Sequence, residues 1–169
     1  MNELLHGLGL KHPIVLAPMA GISTPALAAA VSNAGGLGSL GCADLTPAQG
    51  REQVAELRQR TERSFNLNFF VHQEPDLSQY DPTPMRARLA LYYQELGLGG
   101  VPQPKAPYPA FNHDMLRVLL ELKPAVVSFH FGLPDDFSLN ALHAAGCLIF
   151  ASATTAAEAR FLERLRVDA

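Results

Sequence analysis

Five short apolar runs, at residues 14–17, 37–40, 65–71, 125–129 and 147–152, alternate with segments of helical periodicity, and this alternation limits the fold more than any other feature of the chain. Runs such as Ile14-Val15-Leu16-Ala17 lack polar alternation. They suit strands buried on both faces, the condition met in parallel sheets covered by helices. Strand-then-helix order admits an open doubly wound sheet or a closed (β/α)8 barrel, and order alone does not choose between them.

The helix boundaries are marked by local chemistry. Thr24-Pro25, Thr46-Pro47 and Thr83-Pro84 each offer a hydroxyl at an N-cap and a proline at the first helical position, where the missing N–H costs nothing. Thr46 with Gln49 and Thr155 with Glu158 have the spacing of a capping box. Gly35-Gly36, Gly97 and Gly146 close helices, because glycine adopts the left-handed conformation without strain. Met85, Leu89, Tyr92 and Leu96 in one helix, and Met115, Leu116, Leu119 and Leu120 in another, read as core-facing stripes. Residues 97–110, rich in proline and glycine, read as a long loop.

Residues 160–166 complete a helix, and Val167-Asp168-Ala169 reads as the opening of a sixth strand. A whole (β/α)8 barrel takes about 250 residues. Residues 1–169 are therefore expected to be the N-terminal part of a single barrel domain, roughly its first five βα units.

A formal net charge of -3, with no stripe of Lys and Arg, argues against a nucleic-acid partner. Every apolar stretch is interrupted well short of the about 18 residues that suggest a membrane span. Residues 1–11 lack the basic flank and apolar run of a signal peptide, so a cytoplasmic protein is expected. Cys42 and Cys147 stand far apart without ligand spacing, which reads as two buried thiols. No metal site is expected: His6, His12, His72, His113 and His143 show no mutual spacing that suggests one.

In βα architectures the loops after the strands build the site. The first such loop, Ala17-Pro18-Met19-Ala20-Gly21, has small residues that let a flat ligand approach the backbone and a proline that holds the turn. A tight turn without a ligand explains it equally simply. Gly35-Gly36-Leu37-Gly38-Ser39 resembles a phosphate loop, yet it enters a strand instead of leading from strand to helix. It reads as a helix C-cap followed by a closely packed strand. Asn68, near the end of the third run, can both donate to and accept from a heteroaromatic ring, or it can merely satisfy backbone inside a barrel. His130 ends the fourth run, a position better placed for chemistry than for packing.

These residues also carry a resemblance. Pro13-Ile14-Val15-Leu16-Ala17-Pro18-Met19-Ala20-Gly21, then Gly35-Gly36-Leu37-Gly38-Ser39, Asn66-Leu67-Asn68-Phe69-Phe70 and Ser128-Phe129-His130-Phe131-Gly132-Leu133-Pro134 resemble, in order, the motifs of the nitronate monooxygenase (2-nitropropane dioxygenase) family. The resemblance implies an FMN-binding (β/α)8 barrel that oxidises alkyl nitronates with O2 to a carbonyl compound and nitrite. It implies that Ala17, Pro18 and Met19 line the isoalloxazine, that Asn68 hydrogen-bonds FMN, that His130 faces the substrate, and that Tyr108 closes the pocket.

In the family the principal catalytic histidine lies in a Gly-Gly-His motif after the next strand, and later loops hold the FMN phosphate. Both are expected beyond residue 169. Two alternatives stay open: an NAD(P)H-dependent flavin reductase of the enoyl-thioester type, and a non-catalytic portion that self-associates or pairs with a complementary C-terminal chain.

Overall fold

The computed structural model describes residues 3–73, 76, 80–103 and 109–169 of the 169-residue chain. It falls into two compact units, residues 1–72 with 109–169, and residues 73–108.

In the larger unit four parallel strands stand in sequential order: β1 (Gly38–Gly41), β2 (Phe65–Phe70), β3 (Val126–His130) and β4 (Leu148–Ala151). Each is followed or preceded by a helix: α2 (Pro25–Ala34), α3 (Pro47–Arg60), α5 (His113–Leu122), α6 (Asp136–Ala144) and α7 (Ala156–Arg164). A short α1 (Glu3–Gly7) opens the unit.

The first apolar run differs from expectation, since residues 14–17 form only a single parallel bridge, Val15 to Leu37. Leu37 N–H donates to the Ile14 carbonyl and Leu16 N–H to the Leu37 carbonyl, both at 2.9 Å. Pro18 then has no N–H to give, and the Ala17 carbonyl is taken by the Ser23 hydroxyl at 2.8 Å, so the ladder stops there. At the other edge, residues 167–169 run beside β4: Asp168 N–H donates to the Ile149 carbonyl at 2.8 Å, and Ala151 N–H to that of Ala169 at 2.9 Å.

Side chains alternate across each strand. One face carries Leu40, Leu67, Phe69, Val127, Phe129 and Ile149 into the core shared with Ala28, Val54, Leu57, Leu116, Leu119 and Leu142 of the surrounding helices. At the N-terminal ends of the strands, the opposite face packs Leu37 and Val126 against Leu8, with Leu4, Leu10, Leu148 and Phe150 around them. Higher on that face the residues turn polar: Ser39, Asn66, Asn68 and Ser128 are all buried.

The caps follow their chemistry. Thr24 and Thr46 accept from the backbone N–H of Leu27 and Gln49, and the Thr46–Gln49 capping box is complete. Gly35 closes α2 at φ 99°, in the left-handed region.

The smaller unit holds α4 (Thr83–Glu95), where two expectations fail. Thr83 is the first helical residue and not the N-cap; its N–H is received by the Asp81 carboxylate at 2.9 Å. Met85, Leu89, Tyr92 and Leu96 are exposed, and no residue of α4 is buried. Among the described residues of this unit there is no second helix or strand for the stripe to pack on. The stripe of α5, by contrast, buries Met115, Leu116 and Leu119.

Candidate active site

The strand register stacks the upper inner face into rows. Gly41, Asn68, Ser128 and Phe150 are successive partners across the four strands, and Phe70 and His130 pair in the row above. All lie at or near the C-terminal ends of the strands, where barrel folds build their sites.

The loop after the first run is pinned onto this face. Ser23, buried, accepts from Met19 N–H at 2.9 Å and donates to the Ala17 carbonyl at 2.8 Å, which ties the two ends of Ala17-Pro18-Met19 together. The loop lies directly on Gly41: a Cβ there would come within 2.7 Å of Ala20 N and 3.0 Å of the Met19 carbonyl carbon. Gly41 thus brings the loop to the row that holds Asn68. Ala17 and Met19 remain exposed.

Asn68 is buried and bonded through its Oδ1, which accepts from Ser128 Oγ at 2.8 Å. Ser128 Oγ in turn accepts from Asn66 Nδ2 at 2.9 Å. His130, half-buried, sets its Nδ1 2.7 Å from Ser152 Oγ, and its ring meets the edge of Phe70 at 6.2 Å between centroids. Phe131, next in the chain, is a bulky residue at φ 67° and largely exposed, packed edge-on against Phe70 at 4.9 Å. Left-handed backbone at a phenylalanine is strained, and such strain gathers at functional sites.

The structure therefore brings Ala17, Pro18, Met19, Asn68 and His130 to one end of one sheet, while Tyr108 lies outside the described residues. Reading the sequence missed Ser23, Gly41, Ser128 and Ser152. Ser152 was findable, since it follows the last strand at the end where sites form; Gly41 and Ser128 act through contacts far apart in sequence, and Ser23 through a local turn back to Ala17 and Met19. Among the described residues no cluster of three or more His, Cys, Asp or Glu gathers to hold a metal, and no helix is long and apolar enough to cross a membrane.

Cys42 lines a pocket of about 180 Å³ with Leu45, Phe69, Phe70 and Phe111, on the helix-facing side of these strands. Burial pushes its thiol up to about 12, and burial also raises that of Cys147. At pH 8 the native Cys42 thiol should react with a thiol reagent far more slowly than in urea, because burial both holds it protonated and shields it. Equal rates in a stopped-flow assay would show an accessible, active thiol.

Parallel βα units in sequential order, a pinned first loop and polar groups gathered at the strand ends are the architecture of part of a (β/α) barrel, a fold that builds its sites at the C-terminal ends of its strands. The nitronate monooxygenase family model matches residues 2–169, and the chain belongs to that family of flavin-dependent oxidoreductases. It is 44% identical over 170 residues to the nitronate monooxygenase of Paraburkholderia phytofirmans, covering 99% of this chain and 46% of that protein. It is 43% identical to that of Pseudomonas aeruginosa, covering 96% and 47%. A nitroalkane oxidase structure from Streptomyces ansochromogenes superposes with a TM-score of 0.85 at 36% identity, covering 99% of this chain and 47% of that one. FabK from Thermotoga maritima superposes at 0.69 with 28% identity, over 98% and 42%. The chain spans about half the length of these relatives.

Proposed function

We propose that these βα units form the ring-binding side of an FMN-dependent nitronate monooxygenase, which oxidises alkyl nitronates with O2 to a carbonyl compound and nitrite. The observation that carries the reading is the pinned Ala17–Met19 loop lying on Gly41 in the row of Asn68, with His130 one row above.

The residues fit a flat ring. The loop's small, exposed Ala17 offers a wall without side-chain bulk, Pro18 and Ser23 keep that wall from shifting, and Asn68 stands beside it with a polar amide. When bound, FMN supplies the electron acceptor through which O2 oxidises the substrate. The chain's own residues orient and desolvate. Phe70 and Phe131 pack around His130 and limit water there, and the imidazole, steadied by Ser152, meets the nitronate oxygens as a hydrogen-bond donor. A hydrogen-bond donor at that position favours a bound anion.

The activity belongs to a closed barrel working in the cytoplasm, in which further βα units, in the same or a complementary chain, supply the phosphate loops and the principal base. Charge-assisted phosphate contacts are worth about 1.5–3 kcal/mol each, so the 169-residue chain alone should lose FMN on dialysis. Joined to the C-terminal half of the Pseudomonas aeruginosa relative and supplied with FMN, it should consume O2 and release nitrite from propyl nitronate. Failure of the joined protein to release nitrite would refute the reading. FMN-dependent oxidation of NADPH with an enoyl thioester instead would favour the reductase alternative.

A further inference from the structure

The buried chain Asn66, Ser128, Asn68 has a direction. Asn66 Nδ2 donates to Ser128 Oγ at 2.9 Å and also reaches Ser39 Oγ at 3.3 Å, and Ser128 Oγ spends its one proton on Asn68 Oδ1 at 2.8 Å. In this arrangement Asn66 Oδ1 is left without a partner among the described residues. The reverse arrangement would turn Asn66 Oδ1 toward the two hydroxyls and leave its two N–H groups without an acceptor in the same buried place. Orphaned donors cost more than an under-used carbonyl oxygen, so the relay runs from Asn66 to Asn68.

From this we infer that Ser128 and Asn66 are positioning residues that fix the amide orientation of Asn68, so that Asn68 meets a planar ring as a hydrogen-bond donor and not as an acceptor. With Oδ1 engaged by Ser128, the N–H groups of Asn68, which bond no other side chain among the described residues, are the end that a ligand would meet. The ligand class follows: a ring with a carbonyl oxygen or unprotonated nitrogen on the edge that faces Asn68. That the ring is a flavin rests on the function proposed above; the polarity of Asn68 does not.

The test separates the two. In nuclear Overhauser spectra of the 15N-labelled 169-residue chain, the Asn66 side-chain amide protons should lie against the Ser128 β-protons. The Asn68 amide protons should give the weaker contact. The opposite pattern overturns the proposal without any variant. Riboflavin, which carries the ring without the phosphate, is then titrated by fluorescence quenching. Ser128→Ala should weaken binding roughly three- to tenfold, the equivalent of about one hydrogen bond. Ser128→Thr, which keeps the hydroxyl, should restore it, and Asn68→Asp, which keeps the shape but cannot donate, should weaken it further. Riboflavin binding to Asn68→Asp as tight as to the wild type overturns the proposal. The expected Overhauser pattern with no riboflavin binding to any form upholds the relay and removes the flavin reading instead.

Discussion

Alanine at position 38 is expected to destabilise the chain by about 3 kcal/mol or more, the upper range for forcing an atom into a packed core. Gly38 opens β1 where α2 crosses it, and a Cβ would lie 2.0 Å from the Ala28 carbonyl oxygen and 2.6 Å from Ser32 Oγ. Neither neighbour can give. The Ala28 carbonyl is helix backbone, and Ser32, fully buried, accepts from Gly38 N–H at 3.0 Å while donating to the Ser64 carbonyl at 2.9 Å. A domain stable by about 5–15 kcal/mol loses a large share of its margin this way. Gly50, inside α3, is the contrast: a Cβ there meets only Met115 Sδ, at the ordinary distance of 3.9 Å. Gly50→Ala should stabilise by about 0.5–1 kcal/mol through helix propensity. Urea unfolding followed by circular dichroism reads both, and a Gly38→Ala midpoint equal to that of the wild type would show that α2 and β1 are not held this closely.

The second large effect is expected at His130 in the joined barrel. His130→Ala should lower kcat/KM for propyl nitronate about 10- to 100-fold, the loss of a hydrogen bond to a charged group. His130→Gln, which keeps a hydrogen-bond donor at this position, should retain more activity than His130→Ala. Ser152→Ala leaves the imidazole in place but frees its Nδ1, bonded at 2.7 Å, and should cost less than His130→Ala. O2 uptake with propyl nitronate for the three variants tests the ordering. Unchanged kinetics in His130→Ala would remove this residue from the substrate.

The sequence was legible where one residue's chemistry decides the outcome. Thr24-Pro25 and Thr46-Pro47 start helices because a hydroxyl and a missing N–H act locally, and Gly35 ends one for a reason as local. Thr155 caps α7 as expected, although the Glu158 carboxylate reaches back to Thr154 N–H at 2.6 Å, one residue earlier than a capping box requires. Those bonds hold the Glu158 carboxyl below its usual range. The strand ends placed Asn68 and His130 at one end because side-chain alternation and parallel order leave no other choice.

What failed depended on partners distant in sequence. Residues 14–17 have the composition of a strand, yet strand length is set by how many backbone groups find a ladder, and here Pro18 and Ser23 end it. The α4 stripe has helical spacing, but spacing cannot say whether anything covers it. Ser128 looks like any strand serine until the register sets it between Asn66 and Asn68.

The packing of Leu8 beneath the sheet bears on the order in which the chain can fold. Its partners Leu37 and Val126 and the flanking Leu148 lie up to about 140 residues away, so the segment around Leu8 is among the last to find its place. The Ser64 hydroxyl that donates to the Leu8 carbonyl at 2.8 Å is also far along the chain. Until β3 and β4 exist, Leu4, Leu8 and Leu10 have no complete apolar surface to pack on and stay accessible to chaperones and proteases. Contacts this far apart in sequence make the docking slow, and the apolar cluster beneath the sheet is completed only when Leu4, Leu8 and Leu10 return to it.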